Sequence, residues 1–309
     1  MKKLIVFLCV QYFVSLGISQ NVLEIPYEAT ALTEEQCKAN PDNLIYPADL
    51  EEKVDLVEMF CENDMIAFSV SKTKQVKFSP GNLQYQARTK KWRFAPKQTD
   101  YIGEANDNIS TTYSGWIDMF CWGTGNNPTK ISDDDTDYPS FIDWGINIIG
   151  GDPSNTWRTL AKDEWEYIFL YRKNSSQLHG YAQVAGVNGV IILPDRWRCP
   201  DGITFKPGFY RGGDVFDNYQ YAAHQTITTS QWDKLQQSGA IFLPAAGSMF
   251  RGSSYYFYTY GTTIGYYWSS TASDNFEAYF LPFFSTGPVG NVIPDERRQG
   301  KSVRLVQDL

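Results

Sequence analysis

One stretch near the C-terminus concentrates side chains that could bind a ligand. Residues 253–271 read SSYYFYTYGTTIGYYWSST, with eight aromatic rings among Ser, Thr and Gly and no charged residue. Tyrosine gives a large contact area for little loss of conformational entropy, and Ser and Gly adapt their hydrogen bonds to a partner. Consecutive rings at Tyr255 and Tyr256 would place aromatics on both faces of a strand. The pattern therefore favours a ligand-facing loop over residues 253–260.

Polar and aromatic residues further on extend the same interpretation. Asn275 and Phe276 precede the run EAYFLPF, and a stretch broken by Gly and Pro follows it. Residues i and i+2 of a strand share a face, so we expect the faces of EAYFLPF to divide between core and surface. Exposed rings in clusters mark interaction sites. The predicted ligand-binding residues are Ser253, Ser254, Tyr255, Tyr256, Tyr258, Asn275, Phe276, Phe284, Thr286 and Asn291.

The acidic loop ISDDDTDYPS is a candidate metal site. Asp133, Asp135 and Asp137 alternate as the ligands of a calcium loop do. However, Tyr138 stands where an EF-hand needs Gly, and the distal Glu has no counterpart. The sequence therefore favours a solvated acidic loop, with weak calcium binding as the alternative. No other cofactor is expected.

Residues suited to catalysis are sparse. The chain has two histidines, His179 and His224, and neither stands beside a nucleophile in sequence. The run VAGVNGV contains glycines but no phosphate-binding loop. A glycosidase needs a pair of carboxylates, and nothing singles out a pair among the 35 Asp and Glu residues. We therefore expect a protein without enzymatic activity.

The first 19 residues predict a secretory signal peptide. They combine two lysines, an apolar run over residues 4–16, and small residues before a cut after Ser19. The apolar run is shorter than the about 20 residues that a membrane span needs. We expect the mature chain to be exported to the periplasm, the cell surface or the extracellular space, without membrane insertion. Loss of Lys2 and Lys3 takes the formal net charge from −8 to −10, which argues against nucleic acid as a partner.

Four cysteines follow the predicted signal peptide. An even number in an exported protein is compatible with two disulfides in any of three connectivities. None of the four has the close spacing of a zinc site. We favour the pairs Cys37–Cys61 and Cys121–Cys199, because each pair lies within one apparent structural unit.

The elements that would position these residues fall into two units. Residues 20–66 hold two helical patterns but too few apolar residues for a core, which predicts a short helical extension. Residues 67–309 read as short strands with one strong helix in TLAKDEWEYIFLYRKN, whose Trp165 lies on the apolar face. Three apolar runs stop at or just after Leu-Pro, and each proline is expected at a strand end or edge. Strands that outnumber helices predict an α+β domain.

Several motifs occur in one order across residues 67–309. They are FSPGNLQYQ, WRTLAKDEWEYIF, NGVIILPDRW, GAIFLPAAG, GYYWSST and GKSVRLV. In that order they resemble the Fibrobacter succinogenes major paralogous domain, a family of exported Bacteroidetes and Fibrobacter proteins. That family is similar to the C-type-lectin-like folds, alongside formylglycine-generating enzymes and the variable proteins of diversity-generating retroelements. The resemblance implies a mixed α+β domain with long loops, adjacent N- and C-terminal strands, and a ligand surface within residues 250–299.

The same motifs indicate which residues are structural. Trp268 falls in the signature YWSS, where a buried Trp would need a partner for its N–H group. The Trp165 helix would hold the scaffold beside it. Arg297 and Arg304, near the C-terminus, are expected to bond acids or carbonyls and to pin the last strand.

One position departs from the family pattern. Ala161 stands where related sequences carry Thr or Ser as a helix cap. Either Thr159 takes that role, or the start of the helix is weaker by about 1 kcal/mol. The departure concerns stability more than function.

These observations predict an exported, non-catalytic protein that binds an extracellular protein or glycan through residues near 250–292. The resemblance to retroelement proteins would make this surface hypervariable. One alternative is a structural or adhesin subunit of a cell-surface assembly, with residues 20–66 as the connecting element. The other is an enzyme of the formylglycine-generating type, whose reactive cysteines lie towards the C-terminus, whereas no cysteine follows Cys199 here.

Overall fold

The structure is a computed structural model that describes residues 66–209, 224–250, 257–260, 264–284 and 289–309. For Phe250 and residues 257–260 it describes the backbone alone. The chain divides into two units, Met1–Asp64 and Met65–Leu309, and every described residue belongs to the second. The predicted signal peptide, the helical extension and the pair Cys37–Cys61 lie outside the described residues.

The described unit has a mixed α+β fold in which short strands dominate, so the predicted fold class is confirmed. The α-helices are α1, Lys162–Glu166, and α2, Thr229–Gln237, and a π-helical turn, Tyr167–Tyr171, continues α1. Short 3₁₀ helices span Gly103–Asn108, Asp135–Asp137, Trp144–Ile146 and Ser175–Gln177. The strands are β1 Phe68–Ser69, β2 Gln75–Phe78, β3 Leu83–Gln86, β4 Lys91–Phe94, β5 Met119–Phe120, β6 Arg158–Thr159, β7 His179–Val184, β8 Val187–Ile192, β9 Thr226–Ile227, β10 Ile241–Pro244, β11 Gly247–Phe250, β12 Phe257–Tyr260, β13 Ile264–Ala272, β14 Glu277–Phe284, β15 Ile293–Glu296, β16 Lys301–Ser302 and β17 Leu305–Asp308.

The described strands form four sheets. Their orders are β1-β2-β17-β6, β10-β8-β7-β9, β3-β4, and β12-β11-β13-β14-β15 with β16 attached to β13 and β5 attached to β16. The last strand, β17, pairs with β2, and Val306 lies opposite Phe78. Only β2 separates the first strand, β1, from the last, so the N- and C-terminal strands lie close together, as the resemblance implied.

Strands β13 and β14 lie between two parts of the core. Tyr267 and Phe283 pack in the cluster that contains Trp165. Trp268 and Phe280, which point to the opposite side, pack in a second cluster. Side chains alternate across a strand, so a strand placed between two apolar layers must be apolar on both faces. The aromatic richness of this segment is thus mainly explained by core packing.

This packing corrects the prediction for the run EAYFLPF. Glu277 and Tyr279 are half-buried, as a surface face would allow. Further along the same face, Leu281 and Phe283 are completely buried. Pro282 lies within β14, past the end of its pairing with β15, which stops at Phe280. One edge of β14 is therefore without a described partner at Pro282. Proline has no backbone N–H group, and on this edge its absence removes no hydrogen bond between strands.

The start of α1 is capped by a residue far away in sequence. Thr159 does not cap the helix, because its hydroxyl donates to Asp143. Instead, the Thr271 hydroxyl on β13 accepts a hydrogen bond from the Lys162 backbone N–H at 3.0 Å. The Glu164 carboxylate also accepts one from the Ala161 N–H at 2.9 Å. The missing side-chain cap at Ala161 is thus replaced by contacts from a neighbouring strand and from the first turn itself.

Helix α2 was not predicted, although its sequence TTSQWDKLQQ carries a signal. The Thr228 hydroxyl accepts from the Gln231 N–H, and the Gln231 side chain accepts from the Thr228 N–H, which is a capping box. Trp232 and Leu235 are buried against β7 and β10 residues. Within the described ranges, no helix has the length and apolar character that crossing a membrane requires.

Candidate functional site

Half of the predicted ligand-binding residues can be placed in the structure. Ser253, Ser254, Tyr255, Tyr256 and Thr286 lie outside the described residues. Tyr258 lies on β12, an edge strand that pairs with β11 at four positions. The predicted loop over residues 253–260 is therefore wrong for 257–260, because the ladder with β11 outweighs the side-chain pattern there. Asn275, Phe276, Phe284 and Asn291 are described and exposed.

These four exposed residues do not form one site. Phe276 precedes β14 and is 53% exposed, whereas Phe284 ends β14 and is 46% exposed. A strand rises by about 3.3 Å per residue, so the two rings are attached about 26 Å apart. Asn291 precedes β15, which runs antiparallel to β14, so it lies towards the Phe284 end. The Phe276 end and the Phe284 end are thus separate surfaces.

The residues predicted to be structural all lie in the core. Trp165 and Trp268 are completely buried, and the Trp268 Nε1–H donates to the Phe120 carbonyl at 2.7 Å. Arg304 is also completely buried, and its guanidinium donates to the Gln98 side chain at 2.6 Å. These contacts connect Arg304 to the segment that follows β4, and Trp268 to β5.

Arg297 connects three loops through backbone carbonyls. It donates to the carbonyls of Tyr138, Asp274 and Glu277. Its guanidinium also lies over the Trp122 ring, 4.4 Å from the centroid. A planar guanidinium presents its donors in a fixed fork, whereas the lysine ammonium is a single compact donor group. Arg297 therefore holds the turn that presents Asn275 and Phe276.

The acidic loop is engaged by an arginine. The Arg298 backbone N–H donates to an Asp135 oxygen at 2.9 Å, and its guanidinium donates to the Asp133 carbonyl at 2.6 Å. The Asp137 carboxylate accepts from the Ser132 hydroxyl instead. Among the described residues, no three His, Cys, Asp or Glu side chains are grouped as metal ligands. Arg298 thus contacts both Asp133 and Asp135, whereas the Asp137 carboxylate bonds to Ser132.

The predicted pair Cys121–Cys199 is not bonded in the structure. Cys121 is buried and Cys199 is exposed. The Cys121 thiol donates to the Arg298 carbonyl at 3.1 Å, and the Cys199 thiol donates to the Ile203 carbonyl at 3.2 Å. The two thiols thus bond within different parts of the domain, and the pair Cys121–Cys199 stays a prediction.

Several buried or half-buried titratable side chains have displaced pKa values, among them Asp118, His179 and Lys301. Burial raises the pKa of Asp118 to about 6, and burial together with Arg172 lowers the pKa of His179 to about 4. Burial also lowers the pKa of Lys301, whose ammonium bonds to Asp295 and lies over the Phe280 ring at 4.4 Å. Asp118 and Lys301 are at most 1% exposed, so neither can meet a substrate from solvent in this conformation.

A different set of rings is exposed on the outer side of the helix. Trp165, Ile168 and Phe169 point into the core, which leaves Leu170 and Tyr171 outward, 46% and 65% exposed. The Tyr167 and Tyr171 ring centroids are 6.5 Å apart. We call this the tyrosine surface, and it consists of Lys162, Tyr167, Leu170, Tyr171 and Tyr279.

Lys162 joins the two halves of the tyrosine surface. Its ammonium lies 5.0 Å from the centroid of the Tyr279 ring on β14. Its hydrogen bond to Glu166, at 2.9 Å, raises its pKa, and Tyr279 and Tyr171 also lie close enough to raise it. A cation held over a ring draws the helix and the strand together. The tyrosine surface therefore rests on two rigid elements.

The tyrosine surface adjoins one predicted ligand residue. A Cβ atom placed on Gly290 would lie 3.0 Å from the Leu170 Cδ2 atom. The Gly290 backbone thus lies directly against Leu170, and the exposed Asn291 follows it. Sequence reasoning missed Leu170 and Tyr171, although the helical pattern that turns Trp165 inward also turns these two outward.

The fold and these surfaces define an α+β domain with exposed aromatic side chains. Comparisons of this chain with models of known protein families, with curated proteins and with solved structures find no match. The resemblance drawn from the sequence motifs therefore stays a prediction.

Proposed function

We propose that this chain is an exported, non-catalytic binding protein with a C-type-lectin-like domain, whose ligand is an extracellular protein or glycan. The ligand surface comprises the tyrosine surface and the neighbouring residue Asn291. The observation that carries the proposal is the 65% exposure of Tyr171 beside the 46% exposure of Leu170. Large apolar side chains that are exposed together, on a helix whose other side is buried, are typical of interaction sites.

The local backbone supports a binding role for this helix. Residues Tyr167–Tyr171 adopt a π-helical turn, which widens the helix by one residue and is frequent at functional sites. The turn places Tyr167 and Tyr171 side by side while Ile168 and Phe169 stay in the core. Two adjacent phenol groups combine flat apolar faces with hydroxyls that donate and accept. That combination suits a sugar ring or the apolar patch of a protein.

The interior position of the shifted titratable groups supports a non-catalytic role. A general acid or base must lie within hydrogen-bond reach of its substrate. Asp118 and Lys301 are instead enclosed by protein, and Lys301 is neutralised by Asp295. The two described cysteines bond to different carbonyls, whereas formylglycine-type chemistry needs cysteines that act together.

The alternative function is a structural or adhesin subunit, which would assemble through its edges. Strand β15 lies at one end of the seven-stranded order and carries Pro294. Proline cannot donate to an added strand, so it protects an edge against strand addition. This feature favours a binding protein over an assembly that grows through β15.

The test measures binding to two defined probe sets, neutral oligosaccharides such as cellohexaose and xylohexaose, and immobilised collagen and mucin. Tyr171→Ala should weaken binding of the recognised probe about tenfold or more, because aromatic anchors dominate such contacts. Ile131→Ala is the matched control, since Ile131 is 45% exposed on the acidic loop and is not part of the tyrosine surface. Equal effects of the two variants, or no binding of the unaltered protein to any probe, would contradict the proposal.

A further inference from the structure

A second surface, made of residues that the proposed function does not use, is a cleft beside the β3–β4 hairpin. It has a volume of about 390 Å³ and is open to solvent. We call it the basic cleft, and the residues that form it are Lys90, Lys91, Arg93, Trp116, Ile148 and Gly150.

Backbone pairing determines which side chains face the cleft. On one edge of the hairpin, Tyr85 exchanges two hydrogen bonds of 2.9 Å with Ile117, which places Trp116 beside β3. On the other edge, the Gly150 N–H donates to the Trp92 carbonyl at 3.1 Å, which places Ile148 beside β4. Trp92, Ile117 and Ile149 belong to the core. Because side chains alternate along a strand, their neighbours Arg93, Trp116 and Ile148 face outward together.

Arg93 is held in place at the floor of the cleft. Its guanidinium carbon lies 3.8 Å from the centroid of the Trp116 ring, and its Nε–H donates to the Gln84 side chain at 2.9 Å. Within the described part of the chain, its two terminal nitrogens make no further hydrogen bond. A guanidinium stacked on an aromatic ring loses little further freedom when it binds a ligand.

The cleft is positively charged although the chain is acidic. Arg88, Lys90, Lys91 and Arg93 fall within six residues of a chain whose net charge is −8. Neither lysine forms an ion pair with a described residue, and the carboxylate that acts on Arg93 is that of Asp100. By contrast, Arg158 elsewhere in the domain bonds to Glu164 at 2.7 Å. Lysines grouped without ion-pair partners, beside an arginine whose terminal nitrogens are available, favour an anionic ligand.

We propose that the basic cleft binds a saccharide that carries a carboxylate, such as a uronic acid residue. The terminal nitrogens of Arg93 match the two oxygens of a carboxylate, and Lys91 supplies a second charge. Ile148, which is 64% exposed, and the half-buried Trp116 offer apolar surface to the C–H groups of a sugar ring. The acidic remainder of the protein repels a dense polyanion, so isolated carboxylates on a sugar chain suit the cleft better than nucleic acid or polyphosphate does.

The rim of the cleft also fits a chain-like ligand. Gly150 and Gly151 have positive φ angles of 63° and 104°, and no atom lies within 4 Å of the position of an added Cβ on either. The rim there is bare backbone with open space beside it. This proposal is independent of the tyrosine surface, since no residue is shared by the two regions.

The experiment titrates trigalacturonic acid into the mature protein by isothermal calorimetry, at low and at physiological ionic strength. The neutral probe is galactotriose, and the peptide probe is hexaglutamate. We compare Lys90→Gln with Lys91→Gln as a double variant, and Arg93→Gln alone. The matched control is Lys72→Gln with Lys74→Gln, which removes the same charge from exposed lysines of the β1–β2 turn.

The proposal predicts that trigalacturonic acid binds, that galactotriose does not, and that salt weakens binding. Arg93→Gln should weaken binding about tenfold or more, and the double lysine variant several-fold, while the control binds as the unaltered protein does. The lysine variant keeps the test decisive if Arg93→Gln impairs folding. Absence of trigalacturonic acid binding, equal binding of hexaglutamate, or an equal loss in the control would overturn the proposal. None of these results bears on the tyrosine surface.

Discussion

The tyrosine surface and the basic cleft use opposite chemistry on the same domain. The first presents Leu170 and Tyr171, apolar groups on a helix, with its one cation, Lys162, bonded to Glu166. The second presents Lys90, Lys91 and Arg93 on a hairpin, with one ring that orders the arginine. The first therefore gains affinity mainly from removal of apolar area from water, and the second from charge.

This difference shows that the abundance of a residue type in the sequence does not indicate where a binding surface lies. The C-terminal half is rich in rings, yet Tyr267, Trp268, Phe280 and Phe283 are core residues. Cations are few in this acidic chain, and a group of them without partners is the more informative signal. The segment ARTKKWRF shows that signal in the sequence.

The largest effect is expected for a substitution in the core, because loss of the folded domain removes both surfaces together. Arg304→Ala should lower the free energy of unfolding by about 3 kcal/mol or more, because it leaves a cavity and deprives Gln98 and Asn82 of a donor. Chemical denaturation measures the loss. Arg198→Ala, at an exposed arginine, is the control and should stay within about 0.5 kcal/mol. If Arg304→Ala kept one surface active and lost the other, the two would not share a common core.

An effect of intermediate size is expected in the dependence of stability on pH. Groups near the basic cleft and near the tyrosine surface should change the free energy of unfolding in opposite directions. Asp118, two residues after Trp116 of the basic cleft, has a folded pKa of about 6 against about 3.9 in an unfolded chain. The folded state therefore holds this proton more tightly, and its contribution is complete below about pH 4. That contribution is lost as the pH rises to about 6, by about 3 kcal/mol in total.

His179, which lies beneath the tyrosine surface, changes the free energy of unfolding with pH in the opposite direction. Its ring lies 5.2 Å from that of Phe169, and its folded pKa is about 4 against about 6.5 when unfolded. The unfolded chain binds this proton first, so stability falls as the pH drops from about 6.5 to about 4. In the unaltered protein the two trends oppose each other between about pH 4 and 6.

Single variants should reveal each trend alone. With Asp118→Asn, the free energy of unfolding should increase with pH between about 4 and 6.5, because His179 remains. With His179→Gln it should decrease over about pH 4 to 6, because Asp118 remains. Urea unfolding across a pH series measures both slopes. Two variants with the same slope would show that these pKa values do not control stability.

The smallest expected effects are those on stability at the surfaces themselves. Tyr171→Ala and the double variant Lys90→Gln with Lys91→Gln should each change the free energy of unfolding by no more than about 0.5 kcal/mol. Their combination should be additive, since the two regions share no residue. Thermal and chemical unfolding of the four proteins completes this cycle. A strong coupling energy between Tyr171→Ala and the double lysine variant would mean that the two regions are parts of one structural unit.

Local patterns accounted for much of the fold. Alternation correctly predicted strands β1 to β4, and helical spacing correctly placed Trp165, Ile168 and Phe169 inward. These signals are readable because the period of a strand or helix is set by its own backbone. The candidate site was less predictable, because exposure of Phe284 or Tyr171 depends on what packs beside it.

By itself, the sequence determined the α+β class and the strand pattern, since each follows from residue type and local periodicity. The tertiary structure alone decided the cap that Thr271 gives to Lys162, 109 residues away, and the contact between Trp116 and Arg93. It also decided that β14 lies between two core clusters. These outcomes depend on which distant segments meet, and strand pairing in space is not encoded by the period of either strand alone.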